Sequence, residues 1–208
     1  AKSNLVVKAW QLLQSDFNLP VVQFHLHKTI PFGAGLGGGS SDAAFALKLL
    51  NDYFSLHISV SQLKKYAAKL GADCSFFIKN IPAFATGIGD RLQPVDLDLS
   101  AYDIVILKPK ITVNTPDAFK NIHPQKPVLN LKELSKLPVD KWKNTVVNDF
   151  ESTVFKQYPA IRECKEKLYE LGAVYASMSG SGSAVFGLFR HLPANFDNFI
   201  PEGIFIYR

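Results

Sequence analysis

Five glycines fall within nine residues at Gly33-Ala34-Gly35-Leu36-Gly37-Gly38-Gly39-Ser40-Ser41. A stretch this free in backbone does not form the interior of a helix or strand. Its flanks, however, are strongly patterned. Val22, Phe24 and Leu26 alternate with Gln23, His25 and His27, which predicts a strand with one wet face. Pro31 ends it, and Ser41 opens a predicted helix that turns Ala44, Leu47 and Leu50 inward. A glycine loop between a strand and a helix lets backbone N–H groups approach an anion, and the helix start adds unpaired donors and a positive dipole end. Ser40 and Ser41 add hydroxyls that reach phosphate oxygens or a bound Mg²⁺. The loop reads as a triphosphate site.

Three rival readings fail. Gly33, Gly35 and Gly38 fit G-x-G-x-x-G, but that dinucleotide fingerprint needs a following strand that ends in an acidic residue about twenty positions on. Here a helix and then Leu56 to Val60 follow, with no such residue. No Gly-Lys-Ser/Thr closes the loop, which excludes the Walker pattern. A flexible linker would not sit between two strong elements.

The remaining chain alternates helices and strands, and the fold class is α+β. Ser3 is the expected cap of a helix with Leu5, Val6, Ala9, Leu12 and Leu13 on its apolar face. Ser61 to Leu70 is a second amphipathic helix, stopped at Gly71. Phe76 to Ile78 and Ala83 to Thr86 read as short strands, with turn chemistry at Gly87-Ile88-Gly89-Asp90 and a strand at Tyr102 to Leu107. Lys108 to Lys143 holds five prolines and reads as loop around short helices. Ile161, Cys164 and Leu168 mark a helix that ends at Gly172. Val174 to Met178 and Ala184 to Phe189 are strands on either side of Ser179-Gly180-Ser181-Gly182-Ser183, and Ile204 to Tyr207 is the last strand. A boundary near Asp96 to Ser100 divides residues 1–97 from 98–208.

Composition narrows the class. With 47% hydrophobic and 20% charged residues among 208, the chain suits an ordinary globular protein. It shows no apolar run of about eighteen residues and no signal pattern, so neither a membrane nor secretion is expected. Cys74 and Cys164 have no metal-like spacing and read as two reduced cytoplasmic thiols. The net charge of +5 is dispersed, with short pairs such as Lys64-Lys65, so no nucleic-acid footprint is expected. Self-association into a homodimer is left open.

The run from Lys28 through Pro31 and the glycine loop to Asp42-Ala43-Ala44 resembles the P-x-x-x-G-L-G-[SG]-S-S loop of the galactokinase, homoserine kinase, mevalonate kinase and phosphomevalonate kinase superfamily. Further blocks are similar to one branch of it, which phosphorylates a cytidine-diphosphate sugar alcohol. They are Leu70-Gly71-Ala72-Asp73-Cys74-Ser75-Phe76-Phe77, Thr115-Pro116-Asp117-Ala118-Phe119, Asn148-Asp149-Phe150-Glu151 and Met178-Ser179-Gly180-Ser181-Gly182-Ser183. In family order, these blocks cover essentially the whole chain. The resemblance implies a two-domain kinase with a ribosomal-protein-S5-like N-terminal domain and a ferredoxin-like C-terminal domain. It also implies ATP with Mg²⁺ and a small-molecule alcohol as acceptor.

On this resemblance, Asp73 matches the catalytic aspartate that orients or deprotonates the attacking hydroxyl. Asn4, Lys28, Pro31, Phe32, Gly33, Ala34, Gly35, Leu36, Gly37, Gly38, Gly39, Ser40, Ser41 and Asp42 are the candidate nucleotide residues. Phe119 would stack on the cytosine with Thr115 nearby, and Gly180, Ser181 and Gly182 would bring a second backbone turn to the substrate; for Asp42 ordinary helix-start capping stays open. One departure stands out. The family opens with strands carrying P-[AC]-K-[IV]-N-L, whose lysine pairs with the catalytic aspartate. Ala1-Lys2-Ser3-Asn4-Leu5 instead leads into a helix and better fits the later N-L-[VI]-x-[KR]-A helix beside the adenine pocket. The expectation is that an opening segment of about sixty residues, with the lysine, is absent. Three other readings remain: another small-molecule kinase of the superfamily, an inactive nucleotide-binding fragment, and a basic RNA-binding domain on the ribosomal-protein-like half.

Overall fold

The computed structural model describes residues 3–120, 122 and 130–208. Ala1 and Lys2, and residues 121 and 123–129 within the proline-rich stretch, lie outside the described residues. The chain divides into two compact units, one of Ala1–Thr29 with Gly37–Val95 and one of Ile30–Leu36 with Asp96–Arg208. The division differs from a single cut near residue 97 because the first half of the glycine loop packs with the C-terminal part.

The first unit is mostly helical. α1 (Leu5–Phe17) starts at Asn4 rather than at Ser3, because the Asn4 carboxamide oxygen accepts the Val6 N–H at 2.9 Å. α2 (Gly38–Tyr53) begins three residues before the expected Ser41 and buries Ala43, Ala44, Ala46, Leu47 and Leu50. α3 (Val60–Leu70) is closed by a reciprocal pair in which Ser59 accepts the Gln62 N–H while the Gln62 side chain accepts the Ser59 N–H. Leu13, Leu47 and Leu63 meet in the core of this unit, each stabilising it by about 1.5–3 kcal/mol.

Two expected strands are not strands. Phe76 to Ile78 lies in a short helix, α4 (Cys74–Lys79), which turns Cys74, Ser75 and Ile78 inward and stops at the left-handed Asn80. A three-residue apolar run does not distinguish the two structures; burial of i and i+4 against the other helices decides it. Val22 to Leu26 joins no ladder, because the only sheet among the described residues of this unit is the hairpin β1 (Ala83–Thr86) with β2 (Arg91–Pro94). The alternation reports burial only in part: Val22 and Phe24 are half-buried, while Leu26 is exposed along with Gln23, His25 and His27. The turn Gly87-Ile88-Gly89-Asp90 closes the hairpin, with Thr86 opposite Arg91.

In the second unit, β3 (Asp103–Lys108), β4 (Tyr175–Met178), β5 (Val185–Phe189) and β6 (Phe205–Tyr207) form an antiparallel sheet in the order β4-β5-β3-β6. Counted within the unit, this is fourth-first-third-second in reverse, the ferredoxin-like order. The period of two sorts the faces: Val105, Leu107, Val185 and Phe189 join one core, while Tyr175 and Leu188 join another with Trp142. α6 (Glu151–Gln157) and α7 (Pro159–Glu170) cover the first face through Val154, Ile161, Cys164 and Leu168. Gly172 follows α7 with φ 97°, the left-handed stop that its position predicts. The proline-rich stretch contains α5 (Thr115–Lys120) and two 3-10 turns at Leu131–Lys136 and Val139–Asn144. Both cysteines are buried free thiols, and no helix among the described residues is long and apolar enough to cross a membrane.

Candidate active site

The second half of the glycine loop is a helix start. Gly37 takes the left-handed conformation (φ 65°, ψ 14°) and offers no side chain as a cap. The first intrahelical donor is the Ser41 N–H, bonded to the Gly37 carbonyl at 2.9 Å. The N–H groups of Gly38, Gly39 and Ser40 therefore lie ahead of the helical ladder, at the positive end of a 16-residue helix. A side chain at Gly37 would place its Cβ 2.9 Å from the Phe77 ring, so the close approach of α4 also demands glycine. Burial pushes the Cys74 thiol up, partly offset by its hydrogen bond with Ser40. α4 is thus fastened beneath the start of α2.

Asp73, the residue before α4, is exposed and its carboxylate forms no helix cap. A Cβ on Gly89 would lie 3.6 Å from its Oδ1, so the β1–β2 turn borders this carboxylate closely. Lys28 and Asp42 form an ion pair of 2.5 Å. Because α2 starts at Gly38, Asp42 is one turn into the helix and pairs with Lys28 instead of capping. Asn4 caps α1, and its neighbour Leu5 lies 3.9 Å from where a Gly39 Cβ would stand. Within the first unit, Asn4, Lys28, Asp42 and Asp73 all border elements packed at the α2 start.

The first half of the loop is held by the second unit. The Ala34 carbonyl accepts the Ala184 N–H at 2.9 Å, and the Gly35 carbonyl accepts the Ser179 hydroxyl at 2.9 Å. At Gly35 (φ 73°) a Cβ would stand 2.2 Å from the Ser179 carbonyl oxygen and 2.8 Å from that of Gly182. These are backbone atoms that cannot move aside. Gly180-Ser181-Gly182 is the turn of the β4–β5 hairpin and also the surface against which this loop half rests. Pro31 is half-buried and Phe32 projects with 77% of its surface exposed.

Of the substrate candidates, Thr115 and Ser181 are brought together, with hydroxyls 3.1 Å apart. Phe119 is 60% exposed and meets Phe150 edge to face at 4.9 Å between ring centres. Sequence reasoning assigned no role to Asn148, Phe150, Glu151 or Ser179. Glu151 is buried, accepts the Met178 N–H at 2.8 Å and pairs with Lys165 at 2.6 Å. The signal was present in the matched Asn148-Asp149-Phe150-Glu151 block. Among the described residues, no group of three His, Cys, Asp or Glu side chains could hold a metal ion.

Comparison with known proteins agrees with this geometry. Residues 4–87 match the GHMP kinases N terminal domain, and residues 129–196 match GHMP kinases C terminal. The class that the fold and the loop define is therefore the GHMP kinases. The 4-diphosphocytidyl-2-C-methyl-D-erythritol kinase of Bacteroides fragilis (strain YCH46) is 58% identical over 188 residues, which are 90% of this chain and 69% of that protein. The enzyme of the same name from Bacteroides thetaiotaomicron is 57% identical over 189 residues, 91% of this chain and 69% of the relative. A crystal structure of 4-(cytidine 5'-diphospho)-2C-methyl-D-erythritol kinase superposes with a TM-score of 0.76 at 34% identity, covering 89% of this chain and 68% of that one. A homoserine kinase from Cytophaga hutchinsonii, at 16% identity and a TM-score of 0.73 over 99% of this chain and 75% of its own, shares the fold. This chain belongs to the 4-diphosphocytidyl-2-C-methyl-D-erythritol kinase family.

Proposed function

We propose that the protein uses ATP to phosphorylate the 2-hydroxyl of 4-(cytidine 5'-diphospho)-2-C-methyl-D-erythritol, a step of non-mevalonate isoprenoid precursor formation. The observation that carries this is 58% identity to an enzyme of that name across 90% of the chain, glycine loop included. The N–H groups of Gly38, Gly39 and Ser40, which precede the helical ladder, suit the β- and γ-phosphates of ATP, and phosphoryl transfer depends chiefly on such alignment and charge neutralisation.

Asp73 takes the proton of the 2-hydroxyl as the oxygen bonds to the γ-phosphorus. The bond from that phosphorus to the β-bridging oxygen breaks, and ADP leaves with the electron pair. Mg²⁺ would be held beside the loop by the Ser40 and Ser41 hydroxyls and would supply charge neutralisation for the phosphates. Thr115, Ser181 and the exposed face of Phe119 would bind the cytidine end, whose ring stacks on an aromatic face. A cytoplasmic setting is consistent with two buried, unpaired thiols.

The test supplies the whole natural protein with ATP and, separately, the cytidine-diphosphate alcohol, homoserine and mevalonate. ADP release that depends on the first alone is expected. Turnover of homoserine or mevalonate instead would assign another member of the class, and nucleotide binding without transfer to any of them would reduce the protein to a binding module.

A further inference from the structure

The Asn148 side-chain amide is fully committed. Its Nδ2 donates to the Met178 carbonyl at 2.8 Å and to the Gly180 carbonyl at 2.8 Å, while its Oδ1 accepts the Phe150 N–H at 3.0 Å. The opposite orientation would set the amide oxygen against two carbonyl oxygens, so the hydrogen-bond pattern admits only this one. The two carbonyls that it grips flank Ser179, whose hydroxyl donates to the Gly35 carbonyl at 2.9 Å. Beside it, the Ala184 N–H holds the Ala34 carbonyl at 2.9 Å. All of these residues belong to the second unit, as does the loop half Ile30–Leu36.

Orientation then follows from covalent geometry. The one cis peptide among the described residues is Gly182-Ser183, so the peptides after Ala34 and Gly35 are trans. In a trans unit the C=O and N–H point in opposite directions. Holding the Ala34 and Gly35 carbonyls on the hairpin turn therefore aims the N–H groups of Gly35 and Leu36 away from it. Glu151 reinforces the clamp by accepting the Met178 N–H at 2.8 Å, so Met178 is held through both its N–H and its carbonyl.

We propose that Asn148 is a positioning residue for the nucleotide: by gripping the carbonyls on either side of Ser179, it holds the hydroxyl that, through the Gly35 carbonyl, orients the Leu36 amide of the phosphate loop. This rests on the nucleotide reading of that loop. A role confined to the hairpin would lower thermal stability alone, whereas loop positioning weakens ATP binding more than it raises the alcohol KM.

The experiment compares Asn148→Ala, Asn148→Ser, Ser179→Ala and the Asn148→Ala/Ser179→Ala double variant in the whole natural protein. It measures the Kd for ATP by calorimetry, the KM for each substrate and Tm. Loss of the clamp weakens ATP binding about tenfold, more than it raises the alcohol KM, and the one hydroxyl of Asn148→Ser restores part of the loss. The double variant binds ATP within about twofold of the weaker single, because both changes act through one bond. A lowered Tm with unchanged ATP affinity, or multiplicative effects in the double variant, overturns the proposal. Where Asn148→Ala does not fold, Ser179→Ala alone decides, and an unchanged Kd there sinks it. Wild-type protein that binds ATP but phosphorylates no alcohol overturns the proposed function and leaves the clamp readable in the ATP Kd; failure of the wild type to bind ATP overturns both.

Discussion

Lys28 Nζ and Asp42 Oδ2 meet at 2.5 Å across fourteen positions of chain, and the stretch that they enclose is the glycine loop. The side chains are 17% and 24% exposed, so solvent screens the pair only in part. Its effect is to hold the two ends of a loop whose glycines otherwise leave it free. Asp42→Asn is expected to weaken ATP binding severalfold, about 1 kcal/mol. Lys28→Met removes the same pair and also a positive charge beside the loop, and a larger loss is expected. Calorimetric ATP affinity of the two variants checks this. Equal losses would show that Lys28 serves only its partner.

Gly35 and Gly39 are both loop glycines, and opposite results are expected on substitution. Gly35→Ala drives a Cβ to 2.2 Å from the Ser179 carbonyl oxygen at a φ of 73°. Strain and displacement of the hairpin turn together cost about 3 kcal/mol or more. Gly39→Ala meets nothing nearer than Leu5 Cδ1 at 3.9 Å inside a helix, where alanine is preferred by up to about 1 kcal/mol. Thermal melts of the two variants should move in opposite directions.

Asp73→Asn keeps the volume and the exposed position of the side chain but removes its ability to take a proton. Turnover should fall by about 10²–10⁴, while the ATP Kd changes little, because the carboxylate acts on the alcohol rather than on the nucleotide. Single-turnover kinetics with calorimetric nucleotide binding separate the two. Near-normal turnover would leave Asp73 as the residue that merely precedes α4.

Alkaline stability should fail through tyrosine. Burial pushes the Tyr175 hydroxyl up to about 12, while the Asp16 hydrogen bond pushes Tyr66 up to about 12. A folded-state pKa above the unfolded value means that the unfolded chain loses the proton first. The contribution is therefore fully present below about pH 10 and is lost as pH rises through about 12. Urea midpoints measured from pH 8 to 12 should fall in that window. Tyr175→Phe cannot ionise, so its fall relative to its own neutral value should be shallower, although it also loses the bond to the Val146 carbonyl.

Much of the fold was legible along the chain. The apolar spacing of Leu5, Val6, Ala9 and Leu13 marks α1, and that of Ile161, Cys164 and Leu168 marks α7. The hairpin strands beside Ser179 to Ser183 follow from their apolar runs and the glycines between. Three misreadings share a cause. Val22 to Leu26 alternates as a strand does, but alternation reports one-sided burial and not a ladder partner. Phe76 to Ile78 is too short for its period to be read, and packing of Cys74 and Ile78 chose a helix. The start of α2 at Gly38 was hidden because the glycines that allow it resemble loop.

By itself, the sequence determined the place of the glycine loop before α2, the α+β class and the family to which the chain belongs. Each rests on residues close together in the chain: glycines before a helix, periods of 3.6 or 2, a motif of a few positions. Only the tertiary structure decided what holds that loop. Ser179 reaches Gly35 across 144 positions, and Asn148 reaches Met178 and Gly180 across 30 and 32. Such bonds leave no local pattern, because their geometry exists only after β4 and β5 have paired and the loop has closed on their turn.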